Sequence, residues 1–486
     1  MDWLPDLVEL DNWTNTGIPA VAAVIVVLVI ITSAHAAMYK RDVRAAAAWV
    51  GLIWLSPGVG AALYLLIGIN RIRRRAARLR ERPAAQGPPD TEGAETCAID
   101  EAPHLAPLLT LVSRVSRFPL TAGNTIDVLR GGDEAFPHML DAIGGATTSI
   151  SLCSYIFDAD ASGARFADAL ITAHKRGVEA RVIIDAIGAR YSWPRSIVRT
   201  LRAGGVRCER FLPTVLPWRM PYANLRNHRK VLVVDGQTAF TGGMNIREGN
   251  VSRDGAPPTI LDTHFCVRGP LVEQLQQCFV EDWRFTAGET LTGQTWFPVL
   301  QPAGDLCARV VTDGPDEDLH RLRWVLMGAL DCAHERVRIV TPYFLPDPPL
   351  IAALGSAALR GVDVEIFLPE VSNLAMVQWA STATLWQVLE HGCRVWLSPP
   401  PFDHSKLMVV DGAWSFFGSS NWDPRSLRLS FELDVACHDR GLASDIEALV
   451  DGQRARAREL TLADVDGRSL PVRLRDSTAR LFTPYL

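Results

Sequence analysis

Two imidazole–ammonium pairs dominate the chemistry this sequence can offer. His228 and Lys230 stand two residues apart, and Asp235 lies five beyond the lysine. His404, Lys406 and Asp411 repeat that spacing. In each copy a glycine falls seven after the aspartate (Gly242, Gly418) and an asparagine ten after it (Asn245, Asn421). The offset between copies is 176 residues at every one of these positions. A lone H-x-K-x4-D is a weak signal, whereas two that share the downstream Gly and Asn are a strong one.

On an extended segment, side chains at i and i+2 point to the same face, so each copy presents one imidazole beside one ammonium. That pairing suits a phosphate. The ammonium neutralises its oxygens while the imidazole attacks or transfers a proton. The downstream asparagine adds an amide donor for the same oxygens. A single histidine of this kind is commonly a satisfied core residue, and the repetition argues against that reading here.

The elements that must position these groups are strands and turns. Val231 to Val234 is continuously apolar, as expected of a strand buried on both faces, and Asp235-Gly236 then reverses the chain. Before it, the pattern predicts strands at Ser149 to Phe157, Ala180 to Asp185 and Val206 to Phe211, with helices at Ala164 to Lys175 and Ile197 to Ala203. The order recurs before the second stretch. Strands are expected at Arg336 to Tyr343, Val364 to Leu368 and Gly392 to Leu397, and helices at Leu350 to Leu359 and Thr382 to Glu390. The fold class is therefore α/β, a duplicated unit forming a pseudo-twofold pair with one site at its seam. The expected domains are 105–295 and 296–486, preceded by an apolar region at 1–70 and a basic stretch and linker at 71–104.

Of the 486 residues 48% are hydrophobic and the mean hydropathy is +0.09, high for a soluble enzyme. Ile18 to Ala37 is long and apolar enough to span a bilayer, and Ala45 to Ile69 is a second apolar segment interrupted at Ser56-Pro57-Gly58. The expectation is a transmembrane helical hairpin of about 18–37 and 45–69. A segment that enters and returns at Pro57-Gly58 is the alternative. Seven arginines between 71 and 82 suit anionic headgroups and hold their side in the cytoplasm by the positive-inside rule. This predicts a multi-pass cell-membrane protein with a cytoplasmic catalytic domain. Nine cysteines without a C-x-x-C pair suggest neither zinc nor a disulfide framework, and fit a reducing compartment. A net charge near −5 argues against a nucleic-acid partner. Phe211 to Tyr222, apolar and proline-rich, reads as an inserted lip with Trp218 and Arg219 near the headgroups.

The duplicated motif resembles the phospholipase D superfamily. Thr341-Pro342-Tyr343-Phe344, Asp262-Thr263-His264, Asn421-x-Asp423-x-Arg425-Ser426, Phe431-Glu432 and the paired apolar segments resemble bacterial cardiolipin synthases in particular. Cys153 and Ser430 depart from that pattern, which usually has Glu and Asn there.

The resemblance implies a membrane phosphatidyltransferase that condenses two phosphatidylglycerol molecules into cardiolipin and glycerol through a phosphohistidine, with no metal or other cofactor. It implies His228 as nucleophile and His404 as acid, then base. Lys230, Lys406, Asn245 and Asn421 would hold the phosphate oxygens, and Glu432 would orient a histidine. Asp235 and Asp411 would belong to the catalytic set, either ordering the motif loop or orienting an imidazole. Rival readings are a phospholipase D hydrolase, transfer to another alcohol, a nuclease, and a non-catalytic membrane scaffold. The acceptor, acyl preference, regulation and oligomeric state stay open.

Overall fold

Each histidine–lysine stretch runs straight into a short apolar strand, and those strands sit near the middle of their halves. The computed structural model describes residues 18–40, 43–68, 102–192, 194–213, 225–315 and 320–483. The chain divides into two units, Met1–Arg75 and Ala76–Leu486. The expected basic stretch and linker at 71–104 and the lip beyond residue 213 lie almost wholly outside the described residues. Phe211 itself is core, packed on Phe285 and Phe431.

In the larger unit the first half's strands run across the sheet in one order: Arg207–Phe211, Glu179–Asp185, Ser149–Ser154, Val231–Val234, Thr238–Gly242, Thr263–Arg268, Thr121–Arg130. The second half repeats the order, one place in from an added edge strand at Arg458–Leu460: Arg394–Ser398, Asp363–Pro369, Arg336–Val340, Leu407–Val410, Trp414–Gly418, Ser430–His438, Leu306–Asp313. The halves join where Thr121–Arg130 pairs antiparallel with Leu306–Asp313. In each half the first three strands are parallel and linked by helices, as right-handed crossovers require. The expected α/β duplication is present, and its halves share one continuous sheet across residue 296. The helix expected at Thr382 to Glu390 is instead split into Ala375–Thr382 and Trp386–Leu389.

Burial follows the pattern. Val231, Leu232, Val233 and Val234 are all buried, as are Leu407 to Val410. Stacked Phe265 and Phe417, with centroids 3.7 Å apart, meet across the seam in a cluster drawn from both halves. Such a seam resembles a domain core more than a transient contact.

In the smaller unit Ile18–Tyr39 is one helix, long and apolar enough to cross a bilayer. Much of its apolar surface faces outward, with Val24 67% and Ile31 60% exposed. The second segment carries the interruption that its sequence shows. It forms a helix at Val43–Leu55, breaks at Ser56–Gly58, and resumes as Val59–Leu63 and a wider π-turn at Tyr64–Gly68. Gly58 stands at φ +84°, which favours glycine, and Pro57 precedes it. Thirteen helical residues reach only about 20 Å, short of the ~30 Å hydrocarbon core. The segment returns against the first helix through a hydrogen bond between His35 Nδ1 and the Tyr64 hydroxyl, 2.7 Å.

The cysteines also differ from expectation. Seven described ones are free thiols, but Cys307 is disulfide-bonded, so cysteine usage no longer argues for a reducing compartment.

Candidate active site

The dipeptide before each histidine is threaded onto the opposite half. Arg226–Asn227 pairs in parallel with Ser430–Phe431, and the His228 N–H donates to the Phe431 carbonyl, 3.0 Å. Phe402–Asp403 pairs in parallel with Ile260–Leu261, and the His404 N–H donates to the Leu261 carbonyl, 2.8 Å. The next residue on each supporting segment is a buried acid, and it meets the imidazole. His228 Nδ1 lies 3.0 Å from Glu432 Oε2, and His404 Nδ1 lies 2.8 Å from Asp262 Oδ2. Each imidazole is thus oriented by a carboxylate from the other half. Glu432 was legible in the sequence as such a partner. Asp262 was visible only as part of a motif, with no role attached.

With Nδ1 engaged, both rings present Nε2 to one cavity of about 570 Å³ that also contains Asn245 and Asn421. Tyr155 stands edge-on to His228 with centroids 5.0 Å apart, and Tyr343 edge-on to His404 at 6.2 Å. Lys230 and Lys406 are buried, and each Nζ donates to the carbonyl of the histidine two residues before it. Asn245 Oδ1 accepts from the Ile156 N–H, 3.0 Å, which leaves its NH2 to donate. The structure brings together both histidines, both lysines, both asparagines and Glu432. Among the described residues no cluster of three His, Cys, Asp or Glu is placed to hold a metal.

Asp235 and Asp411 are placed elsewhere and need correction as members of the catalytic set. Each occupies the first corner of a tight hairpin, at φ +53° and +51°, with Gly236 and Gly412 also at positive φ. Gln237 N–H to Val234 carbonyl and Ala413 N–H to Val410 carbonyl close these I′-type turns. The carboxylates then collect backbone donors. Asp235 accepts from the N–H groups of Thr147, Thr148 and Ser149, and Asp411 from those of His334, Glu335 and Arg336. Those bonds hold both acids below their ordinary pKa despite burial. Each stands at the far end of its strand, roughly 20 Å of extended chain from its histidine. Asp235→Ala should cost on the order of 2 kcal/mol of stability while the folded fraction keeps near-normal specific activity. Thermal unfolding beside an activity assay checks this, and a stable but inactive variant would return Asp235 to the site.

Electrostatics in the cavity are governed by burial. It lowers both imidazoles well below their ordinary value, a direction the two lysines reinforce. It lowers Lys230 to about 7 and Lys406 to about 8, and raises Glu432 to about 7 and Asp262 to about 8. An ion pair at 2.8 Å would shift His404 and Asp262 in the opposite directions; desolvation of both is the larger effect, so that pair is held neutral.

The two imidazoles are not equivalent. His228 Nδ1 also lies 3.0 Å from the Ser419 carbonyl, which can only accept. The hydrogen-bond network therefore assigns the His228 proton to Nδ1 and its lone pair to Nε2, facing the cavity. His404 Nδ1 meets only the Asp262 carboxyl among the contacts found, and a protonated Asp262 leaves the ring proton of His404 on Nε2. One ring thus offers the cavity a lone pair and the other an N–H.

Known proteins resemble this chain over most of its length. The family model for "Cardiolipin synthase, PLD-like domain" matches residues 139–283 and 326–452. Cardiolipin synthase A of Pseudomonas aeruginosa is 34% identical over 469 residues, covering 95% of this chain and 94% of that protein. The major cardiolipin synthase of Bacillus subtilis is 30% identical, with 92% and 95% covered. Among solved structures, a phosphatidylserine synthase of Haemophilus influenzae superposes with a TM-score of 0.62 at 15% identity, over 78% of this chain and all of that one, a likeness of fold.

Proposed function

The chain belongs to the phospholipase D-like cardiolipin synthase family, and from that premise we propose that it joins two phosphatidylglycerol molecules into cardiolipin and glycerol through a phosphatidyl-histidine. The observation that carries this reading is the pair of inequivalent imidazoles on one cavity, each held by a carboxylate of the opposite half, with two buried lysines close enough to act on both rings. In the first step the His228 Nε2 lone pair attacks phosphorus and the bond from phosphorus to the glycerol oxygen breaks. His404 gives its Nε2 proton to that oxygen as Asp262 passes its own proton to His404 Nδ1, and glycerol leaves. In the second step the terminal hydroxyl of another phosphatidylglycerol attacks phosphorus and passes its proton to His404 Nε2, while the Nδ1 proton returns to Asp262. The P–N bond breaks, cardiolipin leaves and both rings return to their starting states. Lys230, Lys406, Asn245 and Asn421 hold the non-bridging oxygens, where charge gathers in the transition state.

Purified full-length protein incubated with labelled phosphatidylglycerol should yield cardiolipin and glycerol. Phosphatidic acid as the sole lipid product would reject the transferase reading in favour of hydrolysis.

The lysines impose a pH signature. They bind an anionic phosphate when protonated, and they titrate at about 7 and 8. Raising the pH through that range removes their charge, so KM should climb by up to about tenfold per unit for each lysine lost. The bound anion keeps its own lysines protonated, so kcat should change less. Initial rates across pH 6 to 9 check this, and a KM flat to pH 9 would contradict it.

The protein is a membrane protein in this reading, with the catalytic unit on the cytoplasmic side, where the arginines at 71–82 favour it. A two-span hairpin puts residue 42 outside, and a re-entrant second segment puts it inside. The break at Gly58 and the return of Tyr64 to His35 support re-entry, so in a cysteine-free variant a cysteine at 42 should react with an impermeant reagent only after lysis. Reaction on intact cells would favour the hairpin, and outside labelling of a cysteine at 90 would overturn the cytoplasmic assignment.

A further inference from the structure

The cavity contains more positive charge than one phosphodiester needs. Both lysines act on its two imidazoles from behind, and it is lined by three arginines: Arg226, Arg247 and Arg425. Arg226 is buried, with a guanidinium nitrogen 3.9 Å from the fully buried Asp185, and belongs to the frame. Arg247 and Arg425 are different. They come from opposite halves, each just beyond the asparagine that faces the cavity, and both reach solvent at its mouth. Arg247 is steadied through Nε, 3.3 Å from Asp158 Oδ2, which leaves its terminal nitrogens to donate. Asp158 is itself fixed by the Ser192 hydroxyl, 2.8 Å away.

These arginines also break the twofold pattern. The 176-residue offset that matches every motif position sets Arg247 against Asp423 and Arg425 against Gly249. Symmetry is kept where one phosphate is handled and lost at the rim. The proposed reaction needs such a difference. Its donor loses a neutral glycerol, whereas its acceptor brings a hydroxyl with a second phosphodiester one three-carbon bridge away. That second phosphate cannot use the lysines, which are occupied by the phosphatidyl group on His228. It must find cations further out in the same cavity. Both arginines act on the imidazoles electrostatically, Arg425 on His228 and Arg247 on His404, which places them close to the reacting centre.

We infer that Arg247 and Arg425 form a second phosphate subsite, at the mouth of the cavity, that holds the phosphodiester of the acceptor lipid. Planar guanidiniums suit this task, since each can give two parallel N–H donors to one phosphate. The inference rests on the transferase reading above and refines it: the subsite selects an anionic lipid alcohol over water and over free glycerol.

The test separates the two acceptors in one tube. Full-length enzyme is given phosphatidylglycerol in mixed micelles with labelled glycerol in the aqueous phase. Cardiolipin reports transfer to the lipid acceptor, and label entering phosphatidylglycerol reports transfer to glycerol through the same covalent intermediate. Arg247→Gln and Arg425→Gln should each lower the ratio of cardiolipin to exchange by about tenfold, with exchange itself as the control for folding. Arg247→Lys, which keeps the charge, should recover part of the ratio. If both glutamine variants lose the two products in equal proportion, or neither loses cardiolipin, the subsite is wrong while the transferase reading stands. A wild-type enzyme that forms no cardiolipin would reject that reading and the subsite with it.

Discussion

His228→Ala and His404→Ala each lose turnover by a factor on the order of 10⁴ or more, and the double variant loses no more than either alone. Each half supplies one imidazole, and the proposed chemistry needs two: one to carry the phosphatidyl group and one to move protons. Removing either stops the cycle, so removing the second adds nothing. Near-normal cardiolipin formation by either single variant would mean that one half works alone. Both rings are partly buried against the opposite half, so near-native thermal unfolding of each variant is the accompanying control.

Removing only the carboxylates should be nearly as damaging. Glu432→Gln and Asp262→Asn keep the shape but take away the groups that orient the two Nδ1 atoms. A loss of about 10²- to 10⁴-fold in kcat, with KM little changed, is expected: the amide of Glu432→Gln can offer its N–H to the ring and turn it to the wrong tautomer, and the amide of Asp262→Asn has no proton to relay to Nδ1. The two variants should differ in one respect. Asp262 acts through His404, the proton donor, so a substrate whose leaving group needs no proton should restore much of the first step in Asp262→Asn. Glu432→Gln should not be rescued this way, because it impairs the attacking ring. Equal rescue of both would contradict this division of roles.

Much of this site could be read in advance because its residues are near neighbours in sequence. His228 and Lys230, and their counterparts, lie two apart, and the apolar runs behind them have the length of buried strands. Glu432 could be singled out from its motif. Asp262 could not be matched to His404, since 142 residues separate them and only the seam between halves brings them together. The strands that build this seam were also missed. Ser430–His438 carries Glu432 and Asp434 between apolar residues, which resembles a half-exposed strand, yet both acids are buried. Their environment is polar because the active site lies on that face, and a hydrophobic pattern cannot distinguish such a face from solvent.

Asp235 and Asp411 mark the opposite hazard. Their spacing repeats as faithfully as that of the histidines, but what repeats is a hairpin corner and its backbone hydrogen bonds. Duplication preserves structural residues as well as chemical ones. Only the position of a side chain relative to the cavity separates the two.

The central claim is that His228 carries the phosphatidyl group while His404 handles protons, and a substrate with a p-nitrophenol leaving group tests it most directly. Nitrophenolate departs without a proton at neutral pH, so the first step no longer needs His404. His404→Ala, mixed rapidly with phosphatidyl-p-nitrophenol, should release about one equivalent of nitrophenol per site and then stall. An acid-labile phosphatidyl group should be found on His228. His228→Ala should give no burst and no adduct. A burst from His228→Ala, with the lipid phosphate found on His404, would contradict the account.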